Sequence, residues 1–430
     1  MQQDADHDRA APNPDQPAAP LAGIVVLDLS RWMSGPYAGM MLADAGATVI
    51  KVEPADGETT RSLRPALPDD DGTEVSGYFL RMNRHKHSVR IDLKSAAGKE
   101  RFLDLVRRAD VLLENFRPDV MTARGLGYEE VSKVNPRLVY CSISGFGHTP
   151  GPYRDWPAFN QVAEAIAGVV HWDPTGTIPS PVGPAVGDLF PSMHAVTGIL
   201  MALLRRAVTG EGSFVDIAMY DSLVSLNEMA ISWAAMTGEE YHHGSSANLN
   251  LAPYGFYPAK DGYVCIGVAT NEQWARLAAV MGRPELADDP RLATGQARVV
   301  SNAELIAPLL TDWLATRGKH EVARQLAAEG VPSAPVQSGQ EVLADRQAIS
   351  RGMVEQVLAP GGGSWPIPGS PITITPAPAY RPPQTPALGR DDDVSLDELT
   401  GRDADGRPVS AAALARDGEG SGRAAAGAGR

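Results

Sequence analysis

The sequence predicts an α/β protein built on a doubly wound parallel sheet, followed by a second, smaller domain. Three observations carry this. Short apolar runs of strand length alternate with amphipathic stretches through the first half of the chain. A segment rich in Gly, Ser and Asn at 238–255 interrupts that alternation, and a fresh strand and helix pattern begins beyond it. The 430 residues suffice for two domains, at about 150 residues each.

Residues 24–29 (IVVLDL) are apolar and of strand length, and 48–53 (TVIKVE) are a second strand. Between them lie a turn, RWMSGP, and a helical stretch from Pro36 to Gly46. Pro36 suits a first helical turn, where its missing N–H needs no partner. Strand, short helix, strand is one crossover unit of a parallel sheet. After a polar insert at 54–76, residues 96–109 read as helix, and 110–114 (DVLLE) and 138–143 (LVYCSI) as strands. Helices follow at 160–170 and 188–207, the second starting at Asp188 and ending before Gly210. FVDIAM at 214–219 is a strand, and one long helix covers about 220–237. The second pattern holds the strand YVCIGV and helices at 271–281, 302–316 and 319–329, then Gly- and Pro-rich extended segments.

Composition narrows the function. Residues 1–20 hold no Val, Ile, Leu or aromatic residue, and 401–430 are mostly Ala, Gly and polar residues. Neither end can bury enough apolar surface to offset its ordering entropy, so both read as tails. The net charge of −14, with no basic array interleaved with aromatics, argues against a nucleic-acid partner. No run approaches 18 apolar residues and the N-terminus lacks a basic-then-apolar signal pattern, so no membrane partner is expected and the expected location is the cytoplasm. Two cysteines, Cys141 and Cys265, sit in strand-like runs and suit reduced core thiols.

The motifs exclude several chemistries. The first strand–turn–helix has no GxGxxG, which argues against a bound dinucleotide and leaves Glu53 a strand-end residue without a ligand. His85/His87 and His242/His243 lack the spacing of a metal site, and no metal is expected. There is no GxSxG elbow and no P-loop. Arg81, Arg84, Lys86, Arg90 and Lys94 face a single acid, Asp92, within 81–94. They read either as a solvated strand pair or as a site for an anionic ligand. Arg117 and Arg124 follow the next strand, where loops at the carboxyl ends of parallel strands hold ligands, which suggests a polyphosphate. Asp188 stands where a helix cap would stand. Free N–H groups there also favour the anion, and an ionised carboxylate can act as a nucleophile on an activated acyl group.

Eight blocks in order, among them VLDLSRWMSGPYAGMMLADAGATVIKVEPADGETTR, NRHKHSVRIDLKSAAGKE, ADVLLENFRPDVMTARGLGYE, GDLFPSMHAVTGILMALLRR and GVPSAPVQSGQEVLADRQAISRGM, resemble the class III CoA-transferases, the CaiB–BaiF family that includes formyl-CoA transferase and α-methylacyl-CoA racemase. The resemblance spans about 22–390. It implies a Rossmann-like large domain, an inserted small domain and an intertwined homodimer. The organisation it suggests is a tail at 1–20, the large domain at 21–220, a long helix and linker at 221–255, the small domain at 256–330, a return to the large domain at 331–395 and a tail at 396–430.

The family's catalytic aspartate matches Asp188. Its CoA contacts match Met33 and Ser34, Pro54, the run Ile91, Asp92, Leu93 and Lys94, then Asn115, Phe116 and Arg117, and Arg124. The implied substrates are an acyl-CoA and a small carboxylate, with coenzyme A as substrate and product and no tightly bound cofactor. Backbone N–H groups near Gly187–Leu189 are the expected oxyanion donors. Racemases of the family place a Gly-His-Asp triplet where this chain has Ala158-Phe159-Asn160. Phe159 cannot transfer a proton, and this favours transfer over racemisation. A racemase or isomerase, and a non-catalytic CoA-binding protein, are the alternatives.

Overall fold

The computed structural model describes residues 18–170, 179–241, 250–378 and 380–409. These form two compact units, the first from 18–170, 179–241 and 349–409, the second from 250–348.

The first unit carries β1 (Val25–Asp28), α1 (Ser34–Asp44), β2 (Thr48–Glu53), β3 (Lys86–Arg90), α2 (Ala96–Arg108), β4 (Val111–Glu114), β5 (Val139–Ser144), α3 (Asn160–Ile166), α4 (Val186–Thr209), β6 (Ser213–Ala218), α5 (Met219–Leu226) and α6 (Glu228–Thr237). The six strands form one sheet in the order β3-β2-β1-β4-β5-β6, and every neighbouring pair is parallel. The order reverses between β1 and β4, and at such a switch point the carboxyl ends of the strands open a crevice.

The central strands β1, β4 and β5 form because most of their residues are apolar and buried on both faces. VVLD of β1 is buried throughout, as a strand covered by helices on both sides must be. Alternate residues point to opposite faces. Val26, Val49, Val111, Val139 and Cys141 pack with Ala38 and Leu42 of α1 and with Ala195 and Ile199 of α4. Val25, Leu27, Ile50, Leu112 and Tyr140 pack with Phe102, Leu105 and Val106 of α2. Cys141 and Cys265 are both free thiols, and burial pushes the Cys141 thiol up.

α4 begins two residues earlier than the sequence pattern suggests. Ala185 precedes it with no side-chain cap, so Asp188 is its third residue and not its cap. Gly210, at φ 78°, ends the helix in the left-handed conformation that glycine adopts most easily. By length and composition α4 could cross a membrane. Here it packs on α1, α5, β5 and β6. The long helix expected at 220–237 is two helices, broken at Asn227, whose amide donates to the Ala167 and Gly168 carbonyls at 3.0 and 3.1 Å.

The second unit holds β7 (Tyr254–Ala259), β8 (Gly262–Gly267), α7 (Asn271–Val280), α8 (Ala307–Leu314), α9 (Lys319–Ala328) and β9 (Ser333–Pro335). Its sheet is antiparallel, with β8 between β9 and β7. Val264 and Ile266 pack with Trp274, Leu277, Leu310, Leu314, Val322 and Leu326. A capping box of Thr270 and Gln273 starts α7. This unit extends beyond the expected 256–330: β9 pairs with β8, and Lys319 Nζ donates to the Val336 carbonyl at 2.8 Å and to Glu341. Residues 331–348 therefore belong here and not to the return.

The return itself begins near Ile349 and contains the hairpin β10 (Val354–Leu358) and β11 (Ser364–Pro368). It then lines the outer edge of β3. Asp391 accepts the Ser88 N–H at 2.9 Å and Asp392 accepts the Arg90 N–H at 2.6 Å. A short helix, α10 (Leu396–Thr400), buries Leu399 in the core on the α2 side. Arg402 donates to Asp110 and to the Gly23 carbonyl. Residues 396–409 are thus packed chain and not tail, because one leucine and one guanidinium find buried partners. The expected tails at 1–17 and 410–430, and His242/His243, lie outside the described residues.

Candidate active site

β3, β2, β1 and β4 are parallel neighbours, so their carboxyl ends share one edge. Met33 and Ser34 close the turn after β1, Pro54 follows β2, Ile91, Asp92, Leu93 and Lys94 follow β3, and Asn115, Phe116 and Arg117 follow β4. Every residue matched to CoA contacts, apart from Arg124 in the turn Thr122–Arg124, sits directly past a strand end on this edge.

The turn after β1 is tight. Trp32 holds φ at 65°, a strained conformation for a bulky residue. At Gly35 an added Cβ would fall 2.1 Å from the Ser30 Cβ, so only glycine fits. Asn115 ties the turn to β4: its Nδ2 donates to the Arg31 carbonyl at 2.7 Å and to Ser34 Oγ at 3.1 Å, and its Oδ1 accepts the Arg31 N–H at 2.8 Å. The Arg31 guanidinium lies 5.5 Å from the centre of the Phe116 ring.

α4 joins this turn through Ser192, whose Oγ is 2.6 Å from the carbonyl oxygens of both Ser34 and Asp188. α3 joins it through Phe159, which meets Trp32 edge to face at 5.7 Å. Asn160 Oδ1 accepts the Asp188 N–H at 3.2 Å, while its Nδ2 donates to Glu164 at 2.8 Å. The fold thereby links Ser34, Asn115 and Asp188 in one chain of contacts, with Met33 and Phe116 as sequence neighbours of two of them.

Asp188 is half-buried, and no cation or hydrogen-bond donor meets its carboxylate among the described residues. Burial first, and then the Glu164 carboxylate, push its pKa up to about 6. This is opposite to what a helix start alone would do. The helix dipole is worth about 0.3–1 kcal/mol, and desolvation with a like charge outweighs it. At pH 7 the group is still mostly anion, by about tenfold. The expected oxyanion donors are engaged: the Gly187 N–H points at Glu164 at 3.4 Å, and the Asp188 and Leu189 N–H groups donate to the Ala185 carbonyl.

The basic cluster at 81–94 separates into two kinds of residue. Arg84 pairs with Asp44, and Arg90 pairs with Asp392. Lys86 is buried and donates to Asp28, Asn83 and the Pro36 carbonyl, each at 2.8 Å. These three are structural. Lys94 and Arg81 are exposed and carry no ion pair among the described residues. Arg81 stacks on the Tyr78 ring at 4.5 Å. Burial pushes the Tyr78 phenol up, and Asp188 adds to this against the pull of Arg81. Tyr78 therefore lies within the field of Asp188.

Arg117 also lines a cavity of about 400 Å³ with Glu114, Tyr128, Tyr140, His148 and Phe214. Burial drives Glu114 up to about 7 there. Glu53 accepts a bidentate pair from Arg61 and a hydrogen bond from Ser88. Among the described residues, no cluster of three His, Cys, Asp or Glu residues is placed to hold a metal.

Sequence reasoning missed Tyr78, Asn160, Glu164 and Ser192. Asn160 and Glu164 are four apart on α3 and so share a helical face, and an acid in that apolar stretch was the available signal. Nothing near Tyr78 or Ser192 marked them.

Fold and site define a doubly wound α/β protein with a half-buried carboxylate, Asp188, at the start of α4. The model of CoA-transferase family III matches residues 21–392, and the chain belongs to that family. It is a CoA-transferase. It is 39% identical over 368 residues to a succinyl-CoA:mesaconate CoA-transferase of Haloarcula hispanica, covering 83% of this chain and 91% of that one. It is 35% identical over 385 residues to a succinate–glutarate CoA-transferase of Agrobacterium fabrum, covering 88% and 96%. A crystal structure of a CaiB/BaiF family protein from Brucella suis superposes with a TM-score of 0.79 at 33% identity, covering 89% of this chain and all of that one.

Proposed function

We propose that this enzyme moves CoA from a dicarboxylic acyl-CoA to a second small carboxylic acid through covalent states of Asp188. The observation that carries this is the Asp188 carboxylate itself, half-buried and unpaired where α4 meets the Met33–Ser34 turn and Asn115. Asp188 attacks the donor thioester and forms a mixed anhydride and CoA thiolate. The thiolate returns to give an aspartyl-CoA thioester and the free acid. The acceptor carboxylate attacks that thioester, and the thiolate then attacks the new anhydride to release the new acyl-CoA. One thioester is exchanged for another, so the equilibrium lies near unity, and no step needs a metal or redox cofactor. The protein contributes attack geometry and exclusion of water.

Met33, Ser34, Pro54, Ile91–Lys94, Asn115–Arg117 and Arg124 hold CoA in this reading, with Lys94, Arg117 and Arg124, which carry no ion pair among the described residues, meeting its phosphates. Arg81, stacked on Tyr78 within the field of Asp188, is available for a second carboxylate. The relatives named for succinate, mesaconate and glutarate support dicarboxylic substrates. Exposed Met201, Leu204 and Val208 on α4, with Met229 and Met236 on α6, support the homodimer.

The test is trapping. Incubation with succinyl-CoA should leave a mass adduct on Asp188, and hydroxylamine should convert it to a hydroxamate there. Asp188→Asn keeps the shape, and transfer should fall by about a thousandfold or more. A label on another carboxylate, or transfer at wild-type rate by the Asn variant, would overturn the reading.

A further inference from the structure

We propose that Glu164 is a positioning residue for Asp188: its buried carboxylate braces the start of α4 through Asn160 and opposes the charge of unreacted Asp188, so that acylation relieves a repulsion. The inference rests on the aspartyl chemistry above.

Glu164 is 0% exposed. Its Oε1 accepts the Asn160 amide at 2.8 Å and faces the Gly187 N–H at 3.4 Å. Its Oε2 is buried and has no hydrogen-bond partner among the described residues. A buried carboxylate without a cation is costly, and this one is aimed at the end of the helix that carries Asp188. Asn160 holds both acids in one frame, because its other amide atom accepts the Asp188 N–H. Among the described residues, the groups facing Asp188 are Glu164 from α3 and Tyr78 from the segment Gly77–Leu80, backed by Arg81 just after it. α1 contributes the uncharged Ser34, through Ser192 of α4.

In the acylation step an Asp188 oxygen attacks the thioester carbon. The new C–O bond forms, the C–S bond breaks, and its electron pair leaves on the CoA sulfur. In the next step the thiolate attacks the Asp188 carbonyl carbon, and the acid departs with the C–O pair. In both covalent states Glu164 faces an uncharged acyl group. Only the free enzyme sets an Asp188 anion against the Glu164 carboxylate. A charge that raises the free state alone, and not the acylated one, favours bond formation. Burial is the larger cause of the raised Asp188 pKa, and the Glu164 carboxylate adds to it in the same direction.

Glu164→Gln keeps the shape and the hydrogen bond to Asn160 and removes the charge. Two readouts follow: the acid limb of kcat/KM against pH, and the ratio of acylated to free enzyme by intact mass at a fixed ratio of succinyl-CoA to succinate. The limb should move down by about one pH unit and the ratio should fall about tenfold, since both report one differential interaction. Glu164→Asp, which keeps the charge, should hold the limb near its wild-type position. An unmoved limb with an unchanged ratio in the Gln variant overturns the proposal, and so does a uniform rate loss at every pH. If the Gln variant does not fold, Glu164→Met against Glu164→Asp carries the same contrast, a limb shift in Met alone supporting it and equal profiles overturning it. An adduct on Asp188 that Glu164→Gln leaves untouched overturns this inference alone. No adduct on the wild-type protein overturns the aspartyl chemistry and this inference with it.

Discussion

Asp28, at the end of β1, and Asp188, in the first turn of α4, have opposite surroundings. Asp28 is fully buried at the end of β1. Burial alone would raise its pKa, but Lys86 and Lys51, with hydrogen bonds from Lys86 and Ser30, outweigh that cost and hold it at about 2. Asp188 meets no cation among the described residues, and its neighbour Glu164 adds a like charge. The first arrangement fixes a carboxylate as part of the fold. The second leaves a carboxylate more basic and free of partners, which is what nucleophilic attack requires. Cations of the 81–94 segment divide in the same way. Lys86 and Arg84 have acid partners and are buried, whereas Lys94 and Arg81 are exposed and carry no ion pair among the described residues.

Breaking the Asp188 side should abolish transfer and spare the fold, and breaking the Asp28 side should do the reverse. Lys86→Met strands a buried anion and should cost about 3–5 kcal/mol of stability, read by urea unfolding. Its pH dependence has a definite sign. The Asp28 contribution is full above the ordinary carboxylate pKa and is lost as pH falls towards about 2. The stability deficit of Lys86→Met should therefore be largest near neutral pH and shrink as pH falls and Asp28 is protonated. A variant as stable as the wild type would show that the ion pair is incidental.

A smaller effect is expected at the C-terminus. Ending the chain after 395 removes Leu399 and Arg402, and should lower stability by about 2–4 kcal/mol. Ending it after 409 removes a segment whose sole large aliphatic is Leu414, and the melting temperature should stay within a degree or so. Equal melting of the two truncations would return 396–409 to the status of a tail. Smaller still, Lys94→Ala or Arg124→Ala should raise the KM for the acyl-CoA donor about tenfold with kcat unchanged. Unchanged KM in both would remove the phosphate role from these two cations.

What the sequence makes legible follows from the range of the forces involved. The strands are legible because IVVLDL and LVYCSI must be buried on both faces whatever surrounds them. The strand-end positions of the matched residues follow once the strands are parallel. The start of α4 is less legible, because Ala185 offers no capping side chain and Asp188 only resembles a cap. The fate of Arg84 and Lys86 is illegible locally, since Asp44 and Asp28 lie 40 and 58 residues away. The raised pKa of Asp188 is hidden for the same reason: helix position suggests an easily ionised acid, and the opposing Glu164 arrives from another element. Residues 396–409 read as tail because their composition is acidic and poor in large aliphatics, although Leu396 and Leu399 are three apart on one helical face.

The packing of Asp391 and Asp392 along β3 bears on how the protein is made. The central sheet is seeded by residues 25–53, yet the Ser88 and Arg90 amides on its outer strand receive their partners only from residues 391 and 392. On the ribosome, nearly the whole chain must emerge before that edge is closed, and the second unit is synthesised in the interval. For that time the open edge is a template for a neighbouring nascent chain. Two aspartates suit its closure, because they accept the edge amides while their charge and short reach deny a landing place to any further strand.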